Sequence, residues 1–386
     1  MPDFDLAIIG AGCAGLSLAA RLADQSPHLR VVVLDPRAGF DDDRTWCFWS
    51  DGSAPLDSLA AARWPSWRFS DASGDARIHR ASSQHYVMIR GVDFYADALA
   101  RLTGSNVELR LNTRALRLDE TADQVSVALD AGAPITARRV VDTRPDRTAP
   151  AMMHQVFLGL EIEADSDAFD PDCAGLMDGL SGDGDAVSFL YTLPLTKRRA
   201  LMEWTVFART PRAPETLRPC LDTALARAGL SGARILRTER GVLPMGAVAA
   251  PSPSGSRIVK AGAGGGAVRA ATGYAFQRIQ RWAQACADEI AAGRAPIGHP
   301  PEPALRAFMD KVFLKTLARA PQRGGAYFMA LARHVPPAAL VRFMSDEAGP
   351  ADLARVVAAL PPGPFLAALP APTRRSGPAT LEERTA

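Results

Sequence analysis

Cysteine and histidine are scarce, and neither residue is arranged as a metal site or a disulfide framework. The five cysteines are scattered without a CxxC pair, and the six histidines show no ligand spacing with the cysteines or with one another. Zinc sites and disulfide scaffolds are recognised by such spacing. The sequence therefore predicts no structural metal, and the unpaired cysteines favour a reducing compartment.

Excess charge and long apolar runs are lacking as well. The 44 basic and 42 acidic residues leave a net charge of +2, and no basic face or binding motif indicates a nucleic-acid partner. No apolar run reaches the roughly 18 residues of a membrane-spanning helix. The N-terminus enters an apolar run without the positively charged lead of a signal peptide. We expect a protein that is soluble or bound to a membrane surface.

A glycine-rich turn near the N-terminus predicts a dinucleotide site. Residues 6–9 form an apolar run, and GAGCAG then places Gly10, Gly12 and Gly15 in G-x-G-x-x-G spacing before a helical pattern. In such a turn the glycines allow a tight bend, close approach of a pyrophosphate and helix packing. A second apolar run ends in Asp35, about twenty residues later, where an acid can hold a ribose hydroxyl.

Two later segments favour FAD over a nicotinamide cofactor. RVVDTRPD around Asp142 is an apolar strand ending in an acid and a turn, as where a two-domain flavoprotein returns to its cofactor. Residues 254–293 repeat the order strand, glycine-rich turn and long helix. Amides near Gly262, Gly266 and Gly273 could contact the flavin end of the cofactor. A purely structural strand-to-helix turn is the alternative.

The order of these patterns predicts an α/β protein with a discontinuous Rossmann-type FAD-binding domain, residues 1–150 and 236–300. Between its two parts, HQVFLGLEI, AVSFLYTLPL and RALMEWTVF alternate with Asp/Gly/Pro-rich turns. This alternation predicts an inserted antiparallel sheet, residues 151–235, that would cover the flavin and form a substrate chamber. Residues 301–370 are predicted to form a helical cap, and the Pro-rich tail, residues 371–386, to be disordered.

The predicted cap carries a basic stripe beside bulky apolar residues. Lys311, Lys315 and Arg319 lie four residues apart in PALRAFMDKVFLKTLARA. Such a stripe can rest on an anionic membrane surface, and it can equally be the solvated face of an amphipathic helix.

The strand LMEWTVF, residues 201–207, holds one carboxylate among apolar neighbours. Alternation places Leu201, Glu203, Thr205 and Phe207 on one face, and Trp204 on the other. Because both faces look buried, an ionised carboxylate there would cost several kcal/mol. Glu203 should therefore be paired, protonated or lining a reactive cavity, unless it points to solvent from an edge strand.

Several motifs taken together resemble one enzyme family. DDRTWCFWSDG, HQVFLGLEI, GLMDG, FLYTLPL, LMEWTVF, GVLPMG and ATGYAF occur in this order, and the chain closely resembles bacterial lycopene β-cyclases from residue 3 to about residue 370. The resemblance implies a fold similar to hydroxylase-type flavoproteins and geranylgeranyl reductases. The chain departs from its relatives near Gly264 and Ala270, where they typically carry arginine and proline.

The resemblance also implies a reaction and a catalytic residue. Lycopene ends would be cyclised to β-ionone rings by proton addition, ring closure and proton loss, with Glu203 as acid and then base. Reduced FAD would act without net redox turnover, with NAD(P)H as a possible reductant. A reduced, anionic flavin about 4 Å from the cation would stabilise it by on the order of 4 kcal/mol. Alternatively, the reduced flavin delivers the proton to the substrate, and Glu203 serves as the base or as an orienting group.

Further residues are weaker candidates. Asp178 in GLMDG, Glu161 in GLEI and Trp204 could serve the chamber, although structural roles are the alternative for each. Arg44 could bind a cofactor phosphate or anchor its own loop through Asp42 or Asp43.

The resemblance implies acyclic carotenes, a membrane surface and other carotenoid enzymes as partners, and a peripheral position on the inner membrane in the bacterial cytoplasm. A redox flavoprotein and a non-catalytic isoprenoid-binding protein are the rival interpretations. The redox enzyme would consume NAD(P)H or oxygen in proportion to product, whereas the binding protein should have an eroded cofactor site.

Overall fold

The chain alternates strands and helices. The computed structural model describes residues 1–146, 150–247, 253 and 255–369. Its strands are β1 (Phe4–Ile9), β2 (Val31–Leu34), β3 (Thr45–Ser50), β4 (Ala60–Trp64), β5 (Ser66–Asp71), β6 (Ala76–Arg80), β7 (His85–Arg90), β8 (Val107–Arg110), β9 (Ala115–Glu120), β10 (Val125–Leu129), β11 (Ile135–Asp142), β12 (Met153–Glu163), β13 (Cys173–Asp183), β14 (Ala186–Pro194), β15 (Arg199–Ala208), β16 (Arg234–Met245) and β17 (Ile258–Lys260). Its helices are α1 (Cys13–Gln25), α2 (Gly91–Leu102), α3 (Arg218–Arg227), α4 (Phe276–Ala291), α5 (Ala304–Arg319), α6 (Gly324–His334), α7 (Pro337–Met344), α8 (Pro350–Ala359) and α9 (Pro362–Ala368).

The first sheet has the parallel centre of a Rossmann-type fold. Its strand order is β8-β2-β1-β11-β10-β9, with β17 also paired to β11. Strand β1 pairs in parallel with β2 and β11, and the apolar run of β2 is fully buried, as expected for a parallel strand covered on both faces. Helices α1 and α4 contribute to the same buried cluster. The predicted α/β class is confirmed.

The second sheet is larger than the predicted insertion. Its order is β16-β12-β15-β14-β13-β5-β6, and residues 66–80 and 234–245 pair within it, although the predicted ranges put 66–80 and 236–245 with the cofactor domain. The sheet is also not purely antiparallel, because β5 pairs in parallel with β13. The physical reason is burial: Trp67 and Phe69 of β5 join the apolar cluster on this sheet. The division into functional domains stays a prediction.

Strand β15 separates two cores as its alternation predicts. Leu201 and Phe207 belong to the cluster shared with the C-terminal helices. Met202 and Val206 face the opposite cluster, with Leu221 and Leu225 of α3. A small third sheet, β3-β7-β4, completes the fold.

The C-terminal segment is helical, as predicted. Within the predicted cap, α6 and α7 are separated by Val335 and Pro336, because proline disrupts a continuing helix. Arg269, before α4, is fully buried and forms an ion pair with Asp310 of α5. No described helix is long and apolar enough to span a bilayer. The predicted disordered tail, 371–386, lies outside the described residues.

Candidate active site

The first glycine turn has the backbone that a phosphate site requires. Gly10 follows β1 with φ +98, a conformation that favours glycine. A Cβ at Gly15 would lie 1.9 Å from the Gly10 carbonyl oxygen, whereas one at Gly12 would meet nothing within 4 Å. Gly12 precedes α1, whose first turn has no side-chain cap and no acidic residue. The open amides at this helix N-terminus suit an anion.

Asp35 directly follows β2, next to this turn. Its carboxylate accepts hydrogen bonds from the Ala11 amide at 2.7 Å and from the Arg37 side chain at 2.9 Å. Burial raises the pKa of Asp35, but the bonds from Arg37 and Ala11 outweigh burial and hold the pKa below its usual value. The acid thus lies at the predicted place, and Arg37 is its partner in this structure.

The second glycine turn meets the first through Thr143. A Cβ at Gly262, where φ is +64, would lie 3.0 Å from the Ala14 Cβ and 3.3 Å from the Thr143 carbonyl oxygen. The Thr143 hydroxyl donates to the Ile9 carbonyl at 2.8 Å. The structure therefore brings the two predicted turns together.

The other predicted residues of this region have different neighbours. Gly266 ends the 3-10 turn Gly262–Gly265 with φ +97, and Gly273 lies over the Gln155 side chain of the second sheet. Asp142 is bound in a bidentate pair by Arg144. Thr143, rather than the Asp142 carboxylate, contacts the glycine turn.

Arg44 lies before β3 and is half-exposed. Its guanidinium binds the Asp43 carboxylate, so the structure shows the loop-anchoring alternative. Its charge also acts on the Cys13 thiol at the start of α1, where burial raises the pKa to about 12 and Arg44 acts in the opposite sense. The Arg44 charge thus acts at the start of α1 while its guanidinium is paired with Asp43.

An apolar cavity of about 550 Å³ lies between the second sheet and the C-terminal helices. The buried end of its wall includes Trp49, Leu176 and Phe207, whereas Phe308 and Leu366 at the other end are 44% and 64% exposed. Tyr191 and Tyr274 also line it. The cavity is therefore a largely apolar channel with an apolar mouth.

Glu203 lies beside the buried end of this channel. Its register partner on β14 is Tyr191, a lining residue, and Glu203 itself is only 8% exposed. The Thr205 hydroxyl donates to it at 2.9 Å. Burial, then the charge and hydrogen bond of Glu239, raise the pKa of Glu203 well above its usual value. Burial and the neighbouring carboxylate therefore both favour the protonated form of Glu203.

Glu239 is the neighbour of Glu203 that the sequence analysis did not identify. Gly159 of β12 pairs with Glu203 on one side and with Glu239 on the other. Glu239 accepts hydrogen bonds from the Thr45 hydroxyl at 2.7 Å and from Arg237 at 2.8 Å. Two signals were present: a glycine inside the apolar run FLGLEI, which marks a close approach, and a glutamate two residues before GVLPMG.

The weaker candidates are held by other partners, although Glu161 shares Arg237 with Glu239. Glu161 is fully buried and bound by Arg199 at 2.6 Å and Arg237 at 3.0 Å. Asp178 accepts a bidentate pair from Arg68 at 2.8 and 2.7 Å. Trp204 packs in the core on the opposite face of β15. These contacts support structural roles for all three.

Comparison with known proteins agrees with this architecture. The family model described as "Lycopene cyclase protein" matches residues 5–369. A lycopene beta-cyclase from Paracoccus sp. (strain N81106 / MBIC 01143) is 30% identical over 393 residues, covering 94% of this chain and 95% of that protein.

Two solved structures share the fold. A geranylgeranyl bacteriochlorophyll reductase-like protein from Thermoplasma acidophilum has a TM-score of 0.63 at 13% identity, with 94% of this chain and 98% of that chain covered. Aklavinone-11 hydroxylase, solved with FAD and aklavinone, has a TM-score of 0.56 at 17% identity, with 76% and 63% covered. The predicted hydroxylase- and reductase-like fold is confirmed, and the chain belongs to the lycopene cyclase family of carotenoid-biosynthesis enzymes.

Proposed function

We propose that the protein is a lycopene β-cyclase that converts both acyclic ends of lycopene to β-ionone rings, through γ-carotene to β-carotene. Family membership supports the substrate and the reaction class. The observation that carries the mechanism is the buried Glu203 carboxyl beside an apolar channel, because both burial and Glu239 raise its pKa. A neutral carboxyl at this position can protonate carbon, which an exposed glutamate at neutral pH cannot.

The reaction is an isomerisation, so atoms and electrons balance within the substrate. The Glu203 O–H bond breaks as its proton adds to the terminal double bond. A neighbouring double bond attacks the resulting carbocation and closes the six-membered ring. A ring C–H bond then breaks, and the Glu203 carboxylate takes up that proton, which restores the starting acid.

Exclusion of water is the second task of the site. Water would capture the carbocation as an alcohol, so the reacting end has to lie in an apolar environment. Trp49, Leu176 and Phe207 at the buried end of the channel provide that environment. The aromatic faces of Trp49 and Phe207 also suit a developing positive charge.

FAD is the proposed cofactor, held between the two glycine turns. The open amides at Gly12, the half-exposed Arg44 and the Asp35 carboxylate fit its phosphates and ribose. The amides around Gly262 and Gly266 would hold its flavin end. Bound in its reduced anionic form, FAD would supply negative charge that stabilises a carbocation, and we propose NAD(P)H as the source of its electrons.

Docking on a membrane would connect this site to its substrate. Lycopene resides in the bilayer, and Phe308, Val357, Leu366 and Leu369 are exposed apolar residues at the channel mouth. Lys311 is exposed on the same helix as Phe308 and suits anionic headgroups. Arg319 binds the Ala367 carbonyl instead and so joins α5 to α9. We propose a peripheral position on the cytoplasmic side of the inner membrane, with other carotenoid enzymes as neighbours.

Turnover of lycopene in liposomes under anaerobic conditions tests the proposal. With FAD pre-reduced by dithionite and no NAD(P)H, the wild-type protein should make many β-carotene molecules per flavin. Glu203→Gln should keep its bound FAD and lose turnover by a factor of about 100 or more, the usual contribution of a general acid–base group. The matched control is Glu163→Gln, since Glu163 is exposed and pairs with Arg234 on the sheet surface.

Two outcomes would contradict the proposal. If each reduced flavin yielded one product molecule, turnover would oxidise the flavin, as the redox-flavoprotein interpretation requires. Unchanged turnover in Glu203→Gln would mean that the proton comes from elsewhere, for example from the reduced flavin.

A further inference from the structure

We propose that Glu239 is a positioning residue that keeps the reactive proton on Glu203, so that the two glutamates act as a carboxyl pair across Gly159. The inference rests on the proposed cyclase function and deepens it by assigning the second member of the acid–base machinery.

The strand register brings the two carboxyl groups together. Glu203 on β15 and Glu239 on β16 are the partners of the same residue, Gly159, on the strand between them. A Cβ at Gly159 would lie 3.0 Å from the Glu239 Cγ and 3.3 Å from the Glu203 Cβ. Both side chains thus occupy the space left by the missing side chain, and they are within hydrogen-bonding reach of each other.

The donors around the pair determine which glutamate carries the proton. Glu239 accepts from the Arg237 guanidinium and the Thr45 hydroxyl, which together stabilise a carboxylate. Among the described contacts, Glu203 accepts from the neutral Thr205 hydroxyl. One proton shared between adjacent carboxyl groups therefore resides on Glu203, as expected when two like charges cannot both form in a buried site.

The other titratable and charged groups around Glu203 come from four elements. Tyr191 faces it from β14 and Cys47 from β3, and both have a pKa raised well above the usual value, chiefly by burial. Arg237 on β16 acts in the opposite sense to Glu239. Glu161 on β12 is held by Arg199 and Arg237. Glu239 is the group whose charge and hydrogen bond both favour protonated Glu203.

The pair has a consequence for the second half of the reaction. Once the Glu203 proton has moved to the substrate carbon, two carboxylates stand next to each other in a buried site. That arrangement is unfavourable, so Glu203 becomes a stronger base for the ring proton of the cyclised cation. Glu239 would therefore assist both the donation step, by keeping Glu203 protonated, and the recovery step.

The test is the pH dependence of turnover in Glu239→Gln. Cyclisation needs protonated Glu203, so activity falls as the pH rises through its pKa. Removing the Glu239 charge should lower that pKa and move the alkaline limb of kcat to lower pH by about one unit or more, the coupling expected for interacting sites. Gly159→Ala should move the limb in the same direction, because the added methyl group separates the carboxyl groups while both remain present.

Glu161→Gln is the matched control for the position of the limb. Glu161 is a buried carboxylate that also binds Arg237, but its register partner is Leu201 rather than Glu203. We expect it to leave the alkaline limb in place, whatever its effect on the rate. An equal shift in Glu161→Gln, or no shift in Glu239→Gln, would overturn the proposal. If Gly159→Ala does not fold, the position of the alkaline limb in Glu239→Gln alone tests the proposal.

Infrared titration of the Glu203 C=O stretch separates this inference from the cyclase proposal. The band is identified by its loss in Glu203→Gln, and it needs no turnover. In Glu239→Gln it should disappear at lower pH than in the wild type, and an unchanged titration would overturn the carboxyl pair. Suppose that Glu203→Gln still cyclises lycopene while the band in Glu239→Gln shifts as expected. Glu203 is then not the proton donor of the cyclase proposal, but the coupling between the two glutamates is confirmed.

Discussion

At the scale of single residues, Gly12 and Gly15 serve different purposes within one turn. A Cβ at Gly15 would lie 1.9 Å from the Gly10 carbonyl oxygen, inside the contact between turn and helix. A Cβ at Gly12 would enter open space at the N-terminus of α1, and the backbone there, with φ −78, accommodates alanine. Gly15 is thus needed for folding, and Gly12 for the space that a phosphate would occupy.

Two alanine variants should separate these purposes. Gly15→Ala should lower the free energy of unfolding by about 2 kcal/mol, because backbone atoms have to shift. Gly12→Ala should change it by less than about 1 kcal/mol but weaken FAD binding. Urea denaturation and flavin-fluorescence titration measure the two quantities. A stable Gly15→Ala, or wild-type FAD affinity in Gly12→Ala, would contradict this account.

At the scale of elements, the parallel contact between β5 and β13 enlarges the second sheet. Asp178 of β13 joins the strands by accepting from Arg68 and also from the Ser70 hydroxyl at 3.1 Å. The Asp178 oxygen also fills the space over Gly175, where a Cβ would lie 2.1 Å from it. These contacts support a structural role for the Asp178 carboxylate in the second sheet.

Asp178→Asn should weaken that contact without changing the chemistry. Because Arg68 is partly exposed, we discount the pair for solvent screening and expect a loss of about 1 kcal/mol in the free energy of unfolding. Turnover per folded molecule should equal that of the wild type. Asp183→Asn, at the exposed end of β13, is the matched control. A large fall in kcat at unchanged stability would show that Asp178 takes part in the reaction.

At the scale of the whole molecule, the C-terminal helices cover the second sheet and form the mouth of its channel. Phe308 on α5 and Leu366 on α9 belong to different helices, yet both are exposed and both line the cavity. The buried Arg269–Asp310 pair joins α5 to the segment before α4. This connection holds the mouth against the body of the protein that contains Glu203.

The double variant Phe308→Asp with Leu366→Asp should weaken binding to anionic lipid vesicles by about tenfold or more, because two exposed apolar side chains that would enter the bilayer are replaced by carboxylates. Turnover of lycopene in detergent micelles should fall much less. Leu116→Asp is the control, since Leu116 is 58% exposed but lies on β9 of the first sheet. Equal vesicle binding by both variants would place the membrane contact elsewhere.

Local patterns predicted much of this architecture because each depends on residues close together in the chain. The order of strand, glycine turn, helix and acid identified the first sheet, and alternation in LMEWTVF assigned Glu203 and Trp204 to opposite faces correctly. The glycines of the two turns were identified separately, but their contact through Thr143 was not. The predicted boundary after residue 150 missed β5 and β6, since their partner strand lies about a hundred residues away.

The amino-acid sequence by itself determined the fold class through period and spacing, and the family through the order of its motifs, and it favoured a buried position for Glu203. The tertiary structure alone decided what Glu203 faces. Residues 159, 203 and 239 come together through the register of three strands, and register depends on how whole sheets bury their faces. The carboxyl pair, the Asp178–Arg68 contact and the mouth formed by α5 and α9 all have this origin.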